Sequence, residues 1–328
     1  MAETQFDVLG IGNAIVDVVA RADNSFLSRH DMHKGAMMLV DAEAAERIYA
    51  AMPPGEESSG GSAANTCAVA AALGARVAYF GKVADDQLGR VFRHDMEASG
   101  VHFPSSPLIG GAPTARCLIL VTPDGQRTMN TFLGACVALD QSDVDESVAA
   151  SALVTYLEGY LFDPPAAQKA FYKAAAAAHA AGRQVALSLS DPFCVDRHRA
   201  AFRELVAGHV DILFANEQEV TSLYEENTFA AAAEAARRDV ALAVLTRSEA
   251  GSVVLHGAEM AEIGPEATHV VDTTGAGDAY AAGFLVGLTA GKPLPVCGRL
   301  GSIAAAEIIS HYGARPEADL RTLTAGLV

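Results

Sequence analysis

The sequence predicts an α/β protein with a doubly wound, mostly parallel sheet covered by helices on both faces. Three observations predict it. Short apolar runs of strand length alternate along the chain with longer stretches at helical spacing, several of which glycine stops. Nearly every residue suited to chemistry stands where such a run gives way to a loop, the edge at which open α/β sheets bind ligands. A chain of 328 residues with 51% hydrophobic content can also bury the large core this architecture needs.

Composition excludes several classes of function. A net charge of −17 argues against a nucleic-acid or anionic-membrane surface, so any phosphate site must be built locally. The five cysteines, Cys67, Cys117, Cys136, Cys194 and Cys297, are widely spaced, odd in number and without a CxxC pair, which argues against zinc and a disulfide framework. Residues 1–7 hold no basic leader segment, and no apolar run reaches the ~18 residues of a membrane span. A soluble, cytoplasmic protein is expected, with neither nucleic acid nor membrane as partner.

Taken in order, residues 6–12 form a first strand ending in glycines, and 13–19 continue it with Asn13 and Asp17 on one face. Such a pair can grip the vicinal hydroxyls of a sugar, although a turn Asn and a surface Asp is the commoner arrangement. Residues 34–40 are a short apolar strand and 42–51 a helix that Pro53-Pro54 ends. Ser58 to Thr66 opens another helix running to Leu73, where Gly74 stops it. Gly60-Gly61 at its entrance bares backbone N–H groups, and Asn65 on its first turn would face the same ligand. A bland loop with a tolerant cap is the competing view.

Residues 76–83 are a strand, followed by a helix from Asp85 to about Ser99. Strands at 113–121 and 128–133 flank the turn signal Pro123-Asp124-Gly125-Gln126 as a hairpin, with Arg127 just beyond the turn. Residues 154–162 and 185–190 are strands on either side of an alanine-rich helix at 169–181, and Asp191-Pro192-Phe193 breaks the second of them. A strand at 211–216 leads to Asn216, Glu217 and Glu219 opening a helix, where acids are a routine stabilising choice. A covering helix at 230–238 precedes strands at 241–246 and 251–255, which pair around 247–250.

The chain is organised around residues 270–285. Val270-Val271 end a short strand, Asp272-Thr273-Thr274-Gly275-Ala276-Gly277-Asp278 makes a glycine-rich turn, and a helix of small residues begins there. Gly275, Ala276 and Gly277 let the backbone approach a ligand, and the first-turn N–H groups present the positive end of a helix dipole to an anion. Asp278 would repel that anion unless it had a proton to take from an attacking hydroxyl. A plain helix cap is the alternative. No GxxxxGK[ST] occurs, and Ile15 and Tyr280 stand where GxGxxG needs its third glycine, so dinucleotide binding is disfavoured.

Asp-Thr-Thr-Gly-Ala-Gly-Asp at 272–278 resembles the C-terminal motif of the ribokinase (PfkB) family of small-molecule kinases. Asn-x-x-x-Asp at 13–17, Gly-Gly-Ser-Ala-Ala-Asn-Thr at 60–66 and Asn-x-x-Glu at 216–219 follow in family order, the second in the form of the adenosine kinase branch. The resemblance implies a ribokinase-like fold with a small β-sheet lid, the large domain at 1–12, 47–104 and 136–328 and the lid at 13–46 and 105–135. It implies ATP-dependent phosphorylation of a primary hydroxyl. Asp278 would be the base, Gly275 to Gly277 the anion hole, and Arg127 the lid residue that meets the phosphoryl. Asn13, Asp17, Gly60, Gly61 and Asn65 would hold the acceptor, and Asn216 and Thr246 the nucleotide. Mg2+ would sit near Glu219 through water, and a monovalent cation such as K+ at Asp272 with Thr274.

For the acceptor the resemblance favours adenosine, with Phe193 and the apolar run Met37-Met38-Leu39 suited to a flat purine. Ribokinase- or fructokinase-like sugar kinases and other nucleoside kinases are the alternatives, and a nucleoside-binding regulator without turnover is a rival of another class. The chain departs from the family pattern at Ala84 and Arg247, where glycine is usual, and from adenosine kinases at Ser188 and Ser302. A monomer or homodimer is expected.

Overall fold

The expected first strand is in fact two. β1 (Phe6–Ile11) and β2 (Ile15–Arg21) belong to different sheets, and the chain crosses between them at Gly12, Asn13 and Ala14. Gly12 permits the crossing, because a Cβ there would stand 2.3 Å from the Glu158 carboxylate. Strand alternation therefore does not relate Asn13 to Asp17, as the sequence suggests. The computed structural model describes residues 3–327; Met1, Ala2 and Val328, at the ends of the expected large domain, lie outside the described residues.

After β2 come α1 (Asn24–Arg29), which the sequence does not announce, β3 (Met37–Leu39), α2 (Ala42–Ala51) and β4 (Glu56–Gly60). The sequence predicts a helix opening at Ser58 within the large domain; instead β4 runs antiparallel to β2 in the smaller sheet, with Gly60 opposite Ile15. Serines have weak helix preference, and the β2 edge offers these residues a ladder. α3 (Ser62–Ala72) follows directly, with Gly61 as its N-cap at a φ of 101° that only glycine adopts freely.

β5 (Val77–Phe80), α4 (Gln87–Ala98), β6 (Val101–His102) and the hairpin β7 (Ala115–Val121) with β8 (Arg127–Phe132) follow. Asp86 caps α4, and its carboxylate also accepts from Thr114, so the cap ties α4 to the start of the hairpin. The chain continues through α5 (Glu146–Ser151), β9 (Ala152–Glu158), α6 (Pro165–Ala180), β10 (Gln184–Ser188), α7 (Pro192–His209), β11 (Ile212–Asn216), α8 (Glu217–Tyr224) and α9 (Phe229–Asp239). Pro192 ends the β10 segment as predicted and also starts α7, where a missing N–H is no loss. β12 (Leu242–Thr246), β13 (Ser252–His256), β14 (Glu259–Ile263), α10 (Ala276–Thr289), α11 (Leu294–Ile308) and α12 (Leu320–Leu323) complete the fold. Val270-Val271 is not a strand: both residues are exposed, and their ladder is a single backbone bond from Val271 N–H to the Ile309 carbonyl.

The large sheet has the order β14-β13-β12-β11-β10-β9-β1-β5-β6, parallel from β12 to β6, and the small sheet has the order β3-β8-β7-β2-β4. α3, α10 and α11 cover one face of the large sheet, and α5 to α9 cover the other. Strand order reverses between β1 and β9. There the C-terminal ends of the parallel strands, at Ile11, Glu158, Ser188, Asn216 and Thr246, share one edge, and the crevice beside β1 is the expected ligand position.

α10 is held against α11 by direct backbone approach. A Cβ on Gly283 would stand 2.5 Å from the Leu300 carbonyl oxygen, and one on Gly301 would stand 2.7 Å from the Tyr280 carbonyl oxygen. Neither carbonyl can turn away as a side chain could. Gly283→Ala is expected to destabilise the protein by about 1–2 kcal/mol, the overpacking cost outweighing alanine's better helix propensity. Urea unfolding checks this, and a midpoint at or above the parent's would contradict it.

Candidate active site

α10 opens on a turn shaped for an anion. Gly275, its N-cap, has φ 78°, and a Cβ there would press to 2.7 Å from the Ala314 methyl, whereas the corresponding position on Gly277 meets open space. The first long helical bond runs from Ala279 N–H to the Gly275 carbonyl (2.9 Å). The N–H groups of Gly277 and Asp278 thus have no backbone acceptor among the described residues, and the helix dipole adds its positive end.

Asp278 does not cap this helix. Its carboxylate reaches across to α3, accepting from Ser62 Oγ (2.6 Å) and Asn65 Nδ2 (3.1 Å). Burial pushes its pKa up to about 6, while those two hydrogen bonds and the Arg315 charge pull the other way. The result is a partly buried carboxylate aimed away from its own N-terminus, with lone pairs left for a further donor. A general base needs that arrangement, and a pKa near working pH suits proton transfer.

Opposite Asp278 the β1–β2 crossing forms a wall. Asn13 donates its backbone N–H (3.1 Å) and Nδ2 (2.9 Å) to Glu158 Oε1, while Glu158 Oε2 accepts from Ala63 N–H at the start of α3 (2.7 Å). Asn13 Oδ1 is buried without a partner. Such an orphaned acceptor suits a ligand hydroxyl. Burial raises the Glu158 pKa to about 7, with the Asp278 charge adding to it and the N–H donors opposing. Sequence reading passed over Glu158, whose one signal is that it is the only acid in the apolar strand 152–158.

Asp17 lies against the glycine corner: a Cβ on Gly60 would stand 2.5 Å from its Oδ2, and one on Gly61 would stand 2.1 Å from the Asn13 carbonyl oxygen. Burial raises the Asp17 pKa to about 6 against the Arg315 and Arg127 charges. Arg315, in the loop after α11, is the second functional residue that sequence reading missed. Nothing local marks it, because its partners lie some 250 residues away, at Ser59, Ala64 and Asn65.

Arg127, from the small sheet, is seated on the α10 turn. Its Nη1 donates to Asp272 Oδ2 and to Thr274 Oγ1 (3.0 Å), and its buried Nε has no partner. The expected K+ site does not fit this geometry. Asp272 Oδ1 already accepts from Thr274 N–H (3.1 Å) and Oγ1 (2.8 Å), and Oδ2 accepts from Gly313 N–H (3.2 Å) besides Arg127. A guanidinium occupies the place expected for the cation.

Asn216 and Thr246, the residues expected to border the nucleotide, stand opposite each other at the ends of β11 and β12. Asn216 and Glu219 form a reciprocal cap, with Asn216 N–H on Oε2 (2.9 Å), Nδ2 on Oε1 (2.6 Å) and Glu219 N–H on Asn216 Oδ1 (2.9 Å). One lone pair on each carboxylate oxygen stays open. That hard donor set fits a Mg2+ ion that keeps its waters and takes its other ligands from phosphates. Burial lifts the Glu219 pKa to about 7, with the Asp191 and Asp278 charges adding to the shift. Between these elements Ser190 holds a left-handed φ of 70°, the strained backbone that often marks a functional edge. Phe193 is not gathered into the acceptor wall. It stands 73% exposed on the first turn of α7, and Met37, Met38 and Leu39 are exposed along β3, an edge strand of the small sheet.

Fold and site together define a kinase of small-molecule hydroxyl groups. The chain belongs to the pfkB family of carbohydrate kinases, whose family model matches residues 35–320. It is similar to the crystal structure of adenosine kinase from Sinorhizobium meliloti, at 54% identity and TM-score 0.91 over 99% of this chain and 100% of that one. A probable sugar kinase from Rhizobium etli gives 50% identity and TM-score 0.92 over the same shares. An uncharacterised sugar kinase of Archaeoglobus fulgidus is 30% identical over 74% of this chain and 95% of its own length. The protein is thus an ATP-using phosphotransferase with an alcohol acceptor, a nucleoside or sugar kinase. Among the described residues no helix is long and apolar enough to cross a membrane.

The raised carboxylates Asp17, Asp278, Glu158 and Glu219 all bind protons more tightly folded than unfolded. Stability from this source is therefore full below the unfolded pKa near 4 and is lost as pH rises through 6 to 7. Asp278→Asn is expected to be more stable than the parent, with a gain that grows from pH 5 to pH 8. Thermal unfolding of both proteins across that range checks it, and a gain that shrinks with pH would contradict it.

Proposed function

We propose that this protein transfers the terminal phosphoryl group of ATP to the 5′-hydroxyl of adenosine. One observation carries the proposal: Asp278 is held by Ser62 and Asn65, beside the open amides of α10 and facing a wall with an unsatisfied Asn13 oxygen. Asn13 and Asp17 take the ribose hydroxyls, which leaves the 5′-hydroxyl to donate to Asp278. As that proton passes to the carboxylate, the oxygen attacks the terminal phosphorus and the bond to the ADP oxygen breaks. The amides of Gly275 and Gly277 meet the phosphoryl oxygens, with the open Asp278 amide beside them and the Ala276 N–H held by the Thr273 carbonyl (3.3 Å), and Arg127 offers them its unpartnered Nε. Mg2+, when bound through the waters near Glu219, supplies charge neutralisation at the nucleotide phosphates. Asn216 and Thr246 border the nucleotide.

The five-stranded sheet acts as the lid, and Arg127 on Asp272 is one of its contacts with the large domain. Likeness to the Sinorhizobium meliloti adenosine kinase supports the purine acceptor, as do the apolar Met37, Met38 and Leu39 exposed on that sheet. A sugar kinase is the second reading. It is favoured by the relatives described as sugar kinases and by the polar Asn13–Glu158 wall, which would serve a bare sugar equally well.

The test is ADP release from ATP and Mg2+ with adenosine, inosine, guanosine, ribose and fructose as parallel acceptors. Adenosine is expected to give the highest kcat/KM, and Asp278→Asn to lower kcat by about 10²–10⁴-fold, the usual worth of a general base. Preference for a free sugar would replace the acceptor but keep the chemistry. Nucleotide binding without turnover on any acceptor would instead indicate a regulator.

A further inference from the structure

We propose that Arg315 is a positioning residue for the acceptor site, holding the Asn65 amide so that its nitrogen, and not its oxygen, faces Asp278. The proposal rests on the reading of Asp278 as the base.

The Arg315 guanidinium donates to four oxygens on two elements, Asn65 Oδ1 (2.8 Å) and the Ala64 carbonyl (3.3 Å) in α3 and the Ser59 carbonyl (2.8 Å) and Oγ (2.9 Å) in β4, and makes a long contact with Met96 Sδ of α4 (4.0 Å). These bonds span the Gly60–Gly61 corner, which has no side chain of its own to hold it. A guanidinium can only donate, so whichever end of the Asn65 amide meets it must be the oxygen. The nitrogen is thereby turned to Asp278 Oδ2 (3.1 Å). A donor in that position favours the ionised carboxylate, the form that can accept a proton. A flipped amide would set oxygen against oxygen and favour the protonated acid.

Other groups that act on Asp278 cannot perform this task. Ser62, also from α3, binds the other carboxylate oxygen. Asp17 from β2, Tyr156 and Glu158 from β9, Tyr160 just beyond it and Glu219 from α8 also share charge interactions with Asp278, and none of them is a cation. Arg315 is the cation common to Asp17 and Asp278, and Asp95 adds a third carboxylate to its surroundings.

The outer side of Arg315 lines a cavity of about 390 Å3 together with Ser58, Ser59, Asp95 and Ser99. Truncating the side chain would enlarge that space rather than seal it. A free guanidinium ion could then enter where the side chain was.

The experiment is the pH profile of kcat/KM for the parent, Arg315→Ala and Arg315→Lys, each with and without guanidinium chloride well below unfolding concentrations and with potassium chloride as the ionic-strength control. Arg315→Ala is expected to lower kcat/KM roughly tenfold or more, the worth of one charge-assisted hydrogen bond, and to move the acid limb to higher pH. Guanidinium should restore both, and potassium should restore neither. Arg315→Lys, which keeps one donor for Asn65 and loses the fork to Ser59, should hold the limb near the parent's while raising KM for the acceptor. If the alanine variant does not fold, the lysine variant alone decides: a displaced limb at unchanged KM overturns the proposal. Parent-like kinetics in Arg315→Ala, or a loss with an unmoved limb and no rescue, also overturn it. Parallel turnover by Asp278→Asn separates the two levels, since a fully active Asp278→Asn defeats the base assignment itself.

Discussion

The structure depends on one bond pair, Ser62 and Asn65 of α3 donating to Asp278 of α10. A helix N-terminus that attracts phosphate attracts a nearby carboxylate as strongly, and Asp278 left to itself could fold back onto its own amides. The donors on α3 prevent that by holding the carboxylate across the crevice, so the amides at Gly277 and Asp278 stay open to an anion. Burial makes the ionised form costly, which the pKa near 6 records, and the same donors limit the cost. A proposed base and a proposed anion hole can thus coexist on one turn, because a second helix holds the carboxylate away from the amides.

That second helix is placed by close backbone approach. Gly12 lets the chain leave β1 against Glu158, and Gly60 and Gly61 let β4 close onto Asp17 and Asn13. Glu158 ties the crossing to α3 by accepting from both, and Arg315 ties α3 to β4 from the other side. The wall proposed for the acceptor is consequently a joint between the two sheets, and Arg127 on Asp272 is a second link between them. Movement of the small sheet would alter Asp17, Gly60 and Arg127 together.

Much of this was legible in the sequence. Strand and helix alternation carries the large sheet, and the motifs at 13–17, 60–66, 216–219 and 272–278 do gather along one edge of it or at the joint with the small sheet. The misses share a cause. β4 and the split of the first strand depend on which edges are free to pair, and Glu158 and Arg315 act through partners 95 to 256 residues away, beyond any local pattern. At Asp272, where a cation is expected, Arg127 from a distant hairpin takes a carboxylate oxygen, a partner no local pattern announces. Asp278 could not be told from a helix cap along the chain, since both roles want an acid in a first turn, and only the direction of its carboxylate separates them. At Asn216 and Glu219 a cap and a ligand want the same residues: the cap is present, and each carboxylate oxygen accepts a single hydrogen bond.

The central claim is that Asp278 lies between an acceptor hydroxyl and a phosphate held by the α10 turn. A crystal structure of Asp278→Asn with adenosine and a non-hydrolysable ATP analogue tests it most directly. The account predicts the 5′-oxygen within about 3.2 Å of the side chain at 278 and the terminal phosphate against the amides of residues 275–277. A bound nucleoside whose 5′-oxygen points away from residue 278, or a phosphate seated elsewhere, would contradict it.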